Sequence, residues 1–241
     1  MKLNDGIPRQ SNPICNWDEI ATYQVVEDAV LDLWKVVNHL ASIKPPARQR
    51  YRVTIFGSAR MLPTDPLYVG VRDLASELTR LGCDIVTGGG PGLMQAANEG
   101  SVLADPANQT QSIGVRIDLG FEQQANPFVE QVYQHRTFFT RLHHFVLLSD
   151  AFVVVPGGIG TTLETMMIWQ LLQVRELHHM PFIMIGEMWM ELVEWATRNM
   201  ITTEPPMASP IDMTIPQCVK TFEEAIALLQ DAHTQWALAN R

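Results

Sequence analysis

The stretch Ala151–Gln173, AFVVVPGGIGTTLETMMIWQLLQ, constrains the fold more than any other part of the chain. Ala151–Val155 is an uninterrupted apolar run, which suits a strand buried on both faces. The turn Pro156-Gly157-Gly158-Ile159-Gly160 follows, and a helix is expected over Thr161–Val174. Glycines let the backbone turn sharply and leave room for a ligand to approach. The unpaired N–H groups at a helix start, with the positive end of its dipole, suit an anion such as phosphate. The stretch therefore points to a phosphorylated small molecule held between a strand and a helix.

The rest of the chain repeats the alternation. Strands are expected at Tyr51–Phe56, Cys83–Thr87, Ser112–Ile117, Val129–Tyr133, Pro181–Ile185 and Met213–Ile215. Helices are expected from Pro66 to Leu81, Leu93 to Ala104, Thr137 to Leu148, Trp189 to Met200 and Thr221 to Ala239. This order predicts an α/β fold, Rossmann-like and doubly wound, with a mainly parallel sheet and helices on both faces. Ligands in such folds sit beyond the carboxyl ends of the strands. Ahead of the first strand, Asp18–Leu40 has helical apolar spacing and lies outside the minimal α/β unit. The expected division is residues 1–50 as an N-terminal arm and helix, and 51–241 as the Rossmann-like domain.

Composition narrows the partners. The net charge of −9 argues against a nucleic-acid surface. Cys15, Cys83 and Cys218 fit neither a disulfide framework nor a zinc site, and a reducing cytoplasm is the expected compartment. Phe145–Pro156, the longest apolar stretch, is broken by Ser149-Asp150 and is too short to span a bilayer. The pairs His143-His144 and His178-His179 are poor chelators, because neighbouring helical residues point about 100° apart.

Three glycine-bearing turns, Phe56–Arg60, Gly88–Gly92 and Pro156–Gly160, each follow an expected strand and should meet at one edge of the sheet. A lone glycine turn often ends a strand for structural reasons, but three at one edge favour phosphate binding. None has the spaced G-x-G-x-x-G of dinucleotide folds, and there is no G-K-[ST] of a P-loop. Thr161 and Thr162 can offer hydroxyls to a phosphate or cap the helix. Glu164 has two readings of equal standing. Thr161-Thr162-Leu163-Glu164 matches a capping box, and the same carboxylate would face a sugar held at the turn. Arg141, in the first turn of its helix, opposes the helix dipole, which makes sense where an anion or carboxylate awaits it.

With these motifs in hand, the chain resembles the LOG family of phosphoribohydrolases, often mislabelled lysine decarboxylases. The family pattern is a G-G-G-x-x-G-L-M-type turn, an arginine on a helix, and P-G-G-x-G-T-x-x-E. Gly88-Gly89-Gly90-Pro91-Gly92-Leu93-Met94 is similar to the first, one residue tighter at the final glycine, and Pro156–Glu164 matches the last completely. Family members usually follow the arginine with lysine, where this chain has Leu142. The run Phe138–Leu142 looks more like bacterial nucleotide nucleosidases of the superfamily than plant cytokinin-activating enzymes. A pyridoxal enzyme needs a Schiff-base lysine, and Lys2, Lys35, Lys44 and Lys220 all lie outside the glycine-rich region.

The resemblance implies hydrolysis of a nucleoside 5′-monophosphate, AMP or an N6-modified AMP, to free base and ribose 5-phosphate. It implies Glu164 and Arg141 as the catalytic pair. Gly88, Gly89, Gly90, Gly92, Gly157, Gly158, Gly160, Thr161 and Thr162 would hold phosphate and ribose, with Ser58 and Arg60 as further contacts and Met94 at the base. No metal or redox cofactor is needed. A homodimer is expected, with Asp18–Leu40 and Thr161–Val174 as candidate contacts. The alternative is a carrier that binds a nucleotide or the molybdenum cofactor and does no chemistry.

Overall fold

The computed structural model describes residues 49–117, 124–174, 177 and 180–240. The chain divides into two units, Met1–Pro46 and Ala47–Arg241, and the account below concerns the second. The expected helix Asp18–Leu40, Cys15 and the pair His178-His179 lie outside the described residues.

Seven strands form one sheet in which every pairing is parallel. They are β1 (Arg52–Phe56), β2 (Asp84–Thr87), β3 (Ser112–Ile117), β4 (Gln131–His135), β5 (Ala151–Val154), β6 (Phe182–Ile185) and β7 (Gln217–Val219). Six α-helices connect or follow them: α1 (Pro66–Arg80), α2 (Leu93–Ala104), α3 (Phe138–Leu148), α4 (Ile159–Gln173), α5 (Glu187–Ala196) and α6 (Phe222–Ala239). The strand order is β4-β3-β2-β1-β5-β6-β7. The chain thus builds outward from β1 in one direction, returns, and builds outward from β5 in the other. The boundary between β1 and β5 is the switch point, where doubly wound sheets open a crevice.

Side-chain alternation along the strands makes two cores. Val53, Ile55, Ala151, Val153 and Val155 face α1, α2 and α6, which contribute Tyr68, Leu74, Leu78, Leu93, Ala96 and Leu229. Phe56, Phe152, Val154 and Met184 face α3, α4 and α5, which contribute Phe145, Ile168, Trp169 and Trp189. Burial on both faces explains why β5 and β6 read as continuous apolar runs. Edge strand β4 has one half-covered face, and its pattern alternates accordingly.

Four expectations move. The helix expected over Thr161–Val174 runs over Ile159–Gln173. The fourth strand lies at Gln131–His135, two residues beyond Val129–Tyr133, where Gln131 pairs with Ile113. Met213–Ile215 is not a strand. Pro210 starts a 3₁₀ turn over Pro210–Thr214, closed by a capping box in which Asp212 accepts from the Ser209 N–H at 2.8 Å. The last strand falls instead at Gln217–Val219. The helix expected over Trp189–Met200 begins at Glu187, after Gly186 with φ +108°, and beyond Ala196 it widens into a π-type turn, Thr197–Ile201. Side chains bond back to helix carbonyls there, Thr197 to Val193 and Asn199 to Trp195, which loosens regular winding. Among the described residues no helix is long and apolar enough to cross a membrane.

Candidate active site

The register places the first and third glycine turns side by side. Phe56 pairs with Val154, so β1 and β5 end level with each other. Ser58 N–H then donates to the Pro156 carbonyl at 3.1 Å, and the Ser58 carbonyl accepts from Leu93 N–H, at the start of α2, at 2.8 Å. One residue thereby ties all three turns together. Between them lies a cavity of about 470 Å³.

Of the residues singled out in the sequence, Ser58, Arg60, Gly88, Gly90, Met94, Arg141, Gly158, Gly160, Thr161 and Glu164 line this cavity. Gly89, Gly92, Gly157 and Thr162 do not. Gly89 and Gly92 both have φ +68°, a conformation that favours glycine, and both are buried behind the wall. A Cβ on Gly157 would collide with the Thr161 side chain. The Thr162 hydroxyl donates to the Gly158 carbonyl at 3.0 Å.

The capping-box reading of Glu164 fails on geometry. α4 begins at Ile159, with Gly158 as its N-cap and no side-chain cap bond. Glu164 therefore lies past the third helical position, from which a capping carboxylate reaches back. It turns instead to Arg141, whose Nη1 stands 3.3 Å from Glu164 Oε1. Arg141 is fixed on two further sides. Its Nε donates to the Val115 carbonyl at 2.9 Å, and its guanidinium lies 5.2 Å from the Phe145 ring centroid. The cation is thus held by a strand carbonyl and an aromatic face one helical turn along. Burial pushes the Glu164 carboxyl up to about 7, and the Arg141 charge opposes that rise.

Ile117, which ends β3, lines the cavity without belonging to any sequence motif. Phe138 opens α3, and Gly57, Ala59 and Ile159, within the first and third glycine turns, complete the wall. Phe145 was visible in principle, four residues after Arg141 on one helix. The Val115 carbonyl was not, since it depends on how α3 crosses β3. The histidines of α3 turn elsewhere: His144 Nδ1 lies 2.8 Å from His135 Nε2 on β4. Among the described residues no group of three or more His, Cys, Asp or Glu side chains is placed to hold a metal ion.

The fold and cavity define a Rossmann-like α/β protein with a cavity at its switch point. A family model described as "Possible lysine decarboxylase" matches residues 94–229, more than half of the chain, and the chain belongs to that LOG-type family. Solved structures with similar folds include the molybdenum cofactor carrier protein of Chlamydomonas reinhardtii (18% identity, 76% of this chain and 98% of that one, TM-score 0.58). The molybdenum cofactor binding protein of Rippkaea orientalis is similar at 17% identity (77% and 98%, TM-score 0.57). TM1055, solved by X-ray crystallography, is similar at 19% identity (75% and 99%, TM-score 0.54). No curated protein sequence matches the chain.

Proposed function

We propose that this protein hydrolyses the N-glycosidic bond of a nucleoside 5′-monophosphate to give free base and ribose 5-phosphate. The observation that carries the reading is the Arg141–Glu164 pair, 3.3 Å apart, with Glu164 buried and Arg141 partly so, in the wall of a cavity bordered by the glycine turns. The 5′-phosphate sits at the start of α4, against Gly158, Gly160 and Thr161, where no side chain caps the helix. Ser58 and Arg60 add contacts from the first turn. This anchor fixes the ribose beside Glu164. As the C1′–N bond breaks, positive charge develops on the sugar ring, and the Glu164 carboxylate stabilises it. The same carboxylate takes a proton from the water that attacks C1′, while the base leaves with the bond's electron pair and gains a proton. A carboxyl whose pKa lies near 7 is matched to this exchange at neutral pH. Arg141 orients Glu164 or meets an anionic part of the substrate. Met94, Ile117 and Phe138 give an apolar wall for the base, suited to adenine or an N6-prenylated adenine, as cytokinin activation requires.

The family description does not carry a decarboxylase activity here. Lys220, the lysine among the described residues, lies between β7 and α6, and the cavity lining contains no lysine. The residues present do not fit a pyridoxal Schiff base.

A second reading, a carrier without chemistry, is favoured by the likeness to the two molybdenum-cofactor proteins. Base release separates the two. The panel is AMP, GMP, CMP, UMP and N6-isopentenyl-AMP, with adenosine as control. Cleavage of a monophosphate but not of adenosine supports the enzyme. Intact binding with no release from any member, or tight binding of a phosphorylated pterin, supports the carrier.

The working unit is a homodimer in the cytoplasm. Ile159, Leu163 and Met166 stand exposed along the outer face of α4, and Ile159 also borders the cavity, which supports a site beside the subunit boundary. Monomeric sedimentation at micromolar concentration would refute the dimer.

A further inference from the structure

Behind the Gly88–Gly90 turn runs a chain of buried polar side chains. The Thr87 hydroxyl accepts from the Gly89 N–H at 2.9 Å and donates to Asn98 Oδ1 at 2.7 Å. Asn98 Nδ2 donates onward to Ser112 Oγ at 2.9 Å. Asn126 Nδ2 donates both to Asn98 Oδ1 and to the Gly90 carbonyl, at 3.0 Å each. The Asn126 N–H donates to the Gly89 carbonyl at 2.9 Å, and its Oδ1 accepts from Phe128 N–H at 3.1 Å. Thr87 and Asn98 are wholly buried, and Ser112 and Asn126 nearly so. The end of β2, the middle of α2, the start of β3 and the loop before β4 thus meet in one network.

The proton directions leave little freedom. The single hydroxyl hydrogen of Thr87 points at an amide oxygen, so its lone pair must face Gly89. Both hydrogens of Asn126 Nδ2 are engaged. A network satisfied in this way specifies one geometry, and removing one member leaves buried partners without bonds. Holding α2 on the sheet needs no such device, because apolar packing does that elsewhere along the same helix, at Leu93, Ala96 and Ala97. What the network grips is the rear of the turn: Gly89 by both backbone groups and Gly90 by its carbonyl. The front of the turn is cavity wall, and Arg141 rests against Gly88 there.

We propose that Thr87, Asn98 and Asn126 are positioning residues of the site: they fix the Gly88–Gly90 turn at the geometry that seats the Arg141 guanidinium and the phosphorylated ligand. This rests on the functional reading given above.

The test compares Thr87→Val, which keeps shape and removes the hydroxyl, with Thr87→Ser, which keeps the hydroxyl. Asn126→Ala is the second variant should Thr87→Val fail to fold. Ser101→Ala is the control. It removes a buried hydroxyl on α2 that accepts from Thr79 at 3.2 Å, away from the cavity. AMP affinity is read by titration calorimetry, KM and kcat by base release, and turn protection by amide hydrogen exchange at residues 88–90. Thr87→Val and Asn126→Ala are expected to weaken AMP binding and raise KM at least tenfold. Thr87→Ser should stay within threefold of wild type. Ser101→Ala should stay within twofold, although its melting temperature falls. Wild-type AMP affinity in Thr87→Val, or an equal loss in Ser101→Ala, overturns the proposal. If the wild type binds no monophosphate, the functional reading fails by itself. Amide exchange then decides the positioning role: faster exchange at Gly89 in Thr87→Val but not in Ser101→Ala supports it, and unchanged exchange overturns it.

Discussion

In the turn after β5, Gly158 and Gly160 are exposed, and an added Cβ at either would meet nothing within 4 Å. In the turn after β2, Gly88, Gly89, Gly90 and Gly92 are all buried. A Cβ on Gly92 would collide with the Ser58 carbonyl, one on Gly90 would reach Met94 at 2.8 Å, and one on Gly88 would strike Arg141. The two turns have nearly the same composition and open helices at the same sheet edge. In one, Gly158 and Gly160 leave open space beside the helix start, while Gly157 makes room for Thr161. In the other, glycine clears space for the protein itself. Glycine content alone therefore does not say which turn touches the ligand.

The largest expected effect tests the open turn's chemistry. Glu164→Gln keeps the shape and removes the charge. Turnover should fall by about 10²–10³-fold, with AMP affinity held within a few-fold by calorimetry. Near wild-type turnover would remove Glu164 from the mechanism. Wild-type kcat should rise with pH through about 7 as Glu164 ionises, and the variant should lack that step. Stability carries the same signature. Because the folded pKa is raised from 4.5, the unfolded chain ionises first. Wild type thus loses stability as pH rises from about 4.5 to 7, and the Gln variant has no such slope. Melting temperatures of the two proteins at pH 5 and pH 8 should diverge in the variant's favour at the higher pH.

The closed turn should respond in stability instead. Gly92→Ala forces a side chain onto φ +68° and into Ser58, Ala59 and their backbone, which cannot yield. The expected loss is about 2–4 kcal/mol, read by denaturant unfolding. A loss below about 1 kcal/mol would show that the turn relaxes more easily than its packing implies.

Gly88→Ala falls between the two. Its obstacles are the flexible ends of Arg141 and Met94, so the fold survives while Arg141 moves. Turnover should fall by roughly 10–100-fold. With the cation displaced, the Glu164 carboxyl loses what opposes its rise, and the midpoint of the pH–rate profile should climb above the wild-type value. An unshifted midpoint would mean that Arg141 does not depend on the bare Cα of Gly88.

The sequence carried much of this, and the reasons are local. α2 and β3 have the bounds their patterns predict, because both are ruled by apolar periodicity and burial on two faces. The meeting of the three turns follows from parallel strands that end together. The status of Glu164 was not legible. Thr161-Thr162-Leu163-Glu164 is a sound capping box in isolation, and only the start of α4 at Ile159 excludes it. Met213–Ile215 misleads in the opposite way: its apolar residues suit a strand, yet the Ser209–Asp212 capping bonds nearby fold the segment into a turn. Asn98 and Asn126 carry no motif at all. Their meaning lies in bonds between residues far apart in the chain, which spacing does not encode.

Gly160→Ala makes the smallest change and divides the two turns most sharply. Gly160 lies inside α4, exposed, with open space where a Cβ would go. In a helix alanine is favoured over glycine, so the variant should gain about 0.5 kcal/mol without ligand, a rise of roughly 1–2 °C in melting temperature. The added methyl, however, projects where the phosphate is expected to approach the backbone. AMP should therefore bind about tenfold more weakly, and the thermal stabilisation that saturating AMP gives the wild type should shrink by about 1.4 kcal/mol at fixed nucleotide concentration. No substitution in the buried turn can show this combination of a steadier fold and a poorer site. If Gly160→Ala gains stability and binds AMP as tightly as wild type, the phosphate does not sit at the start of α4, and the closed turn becomes the better candidate for its seat.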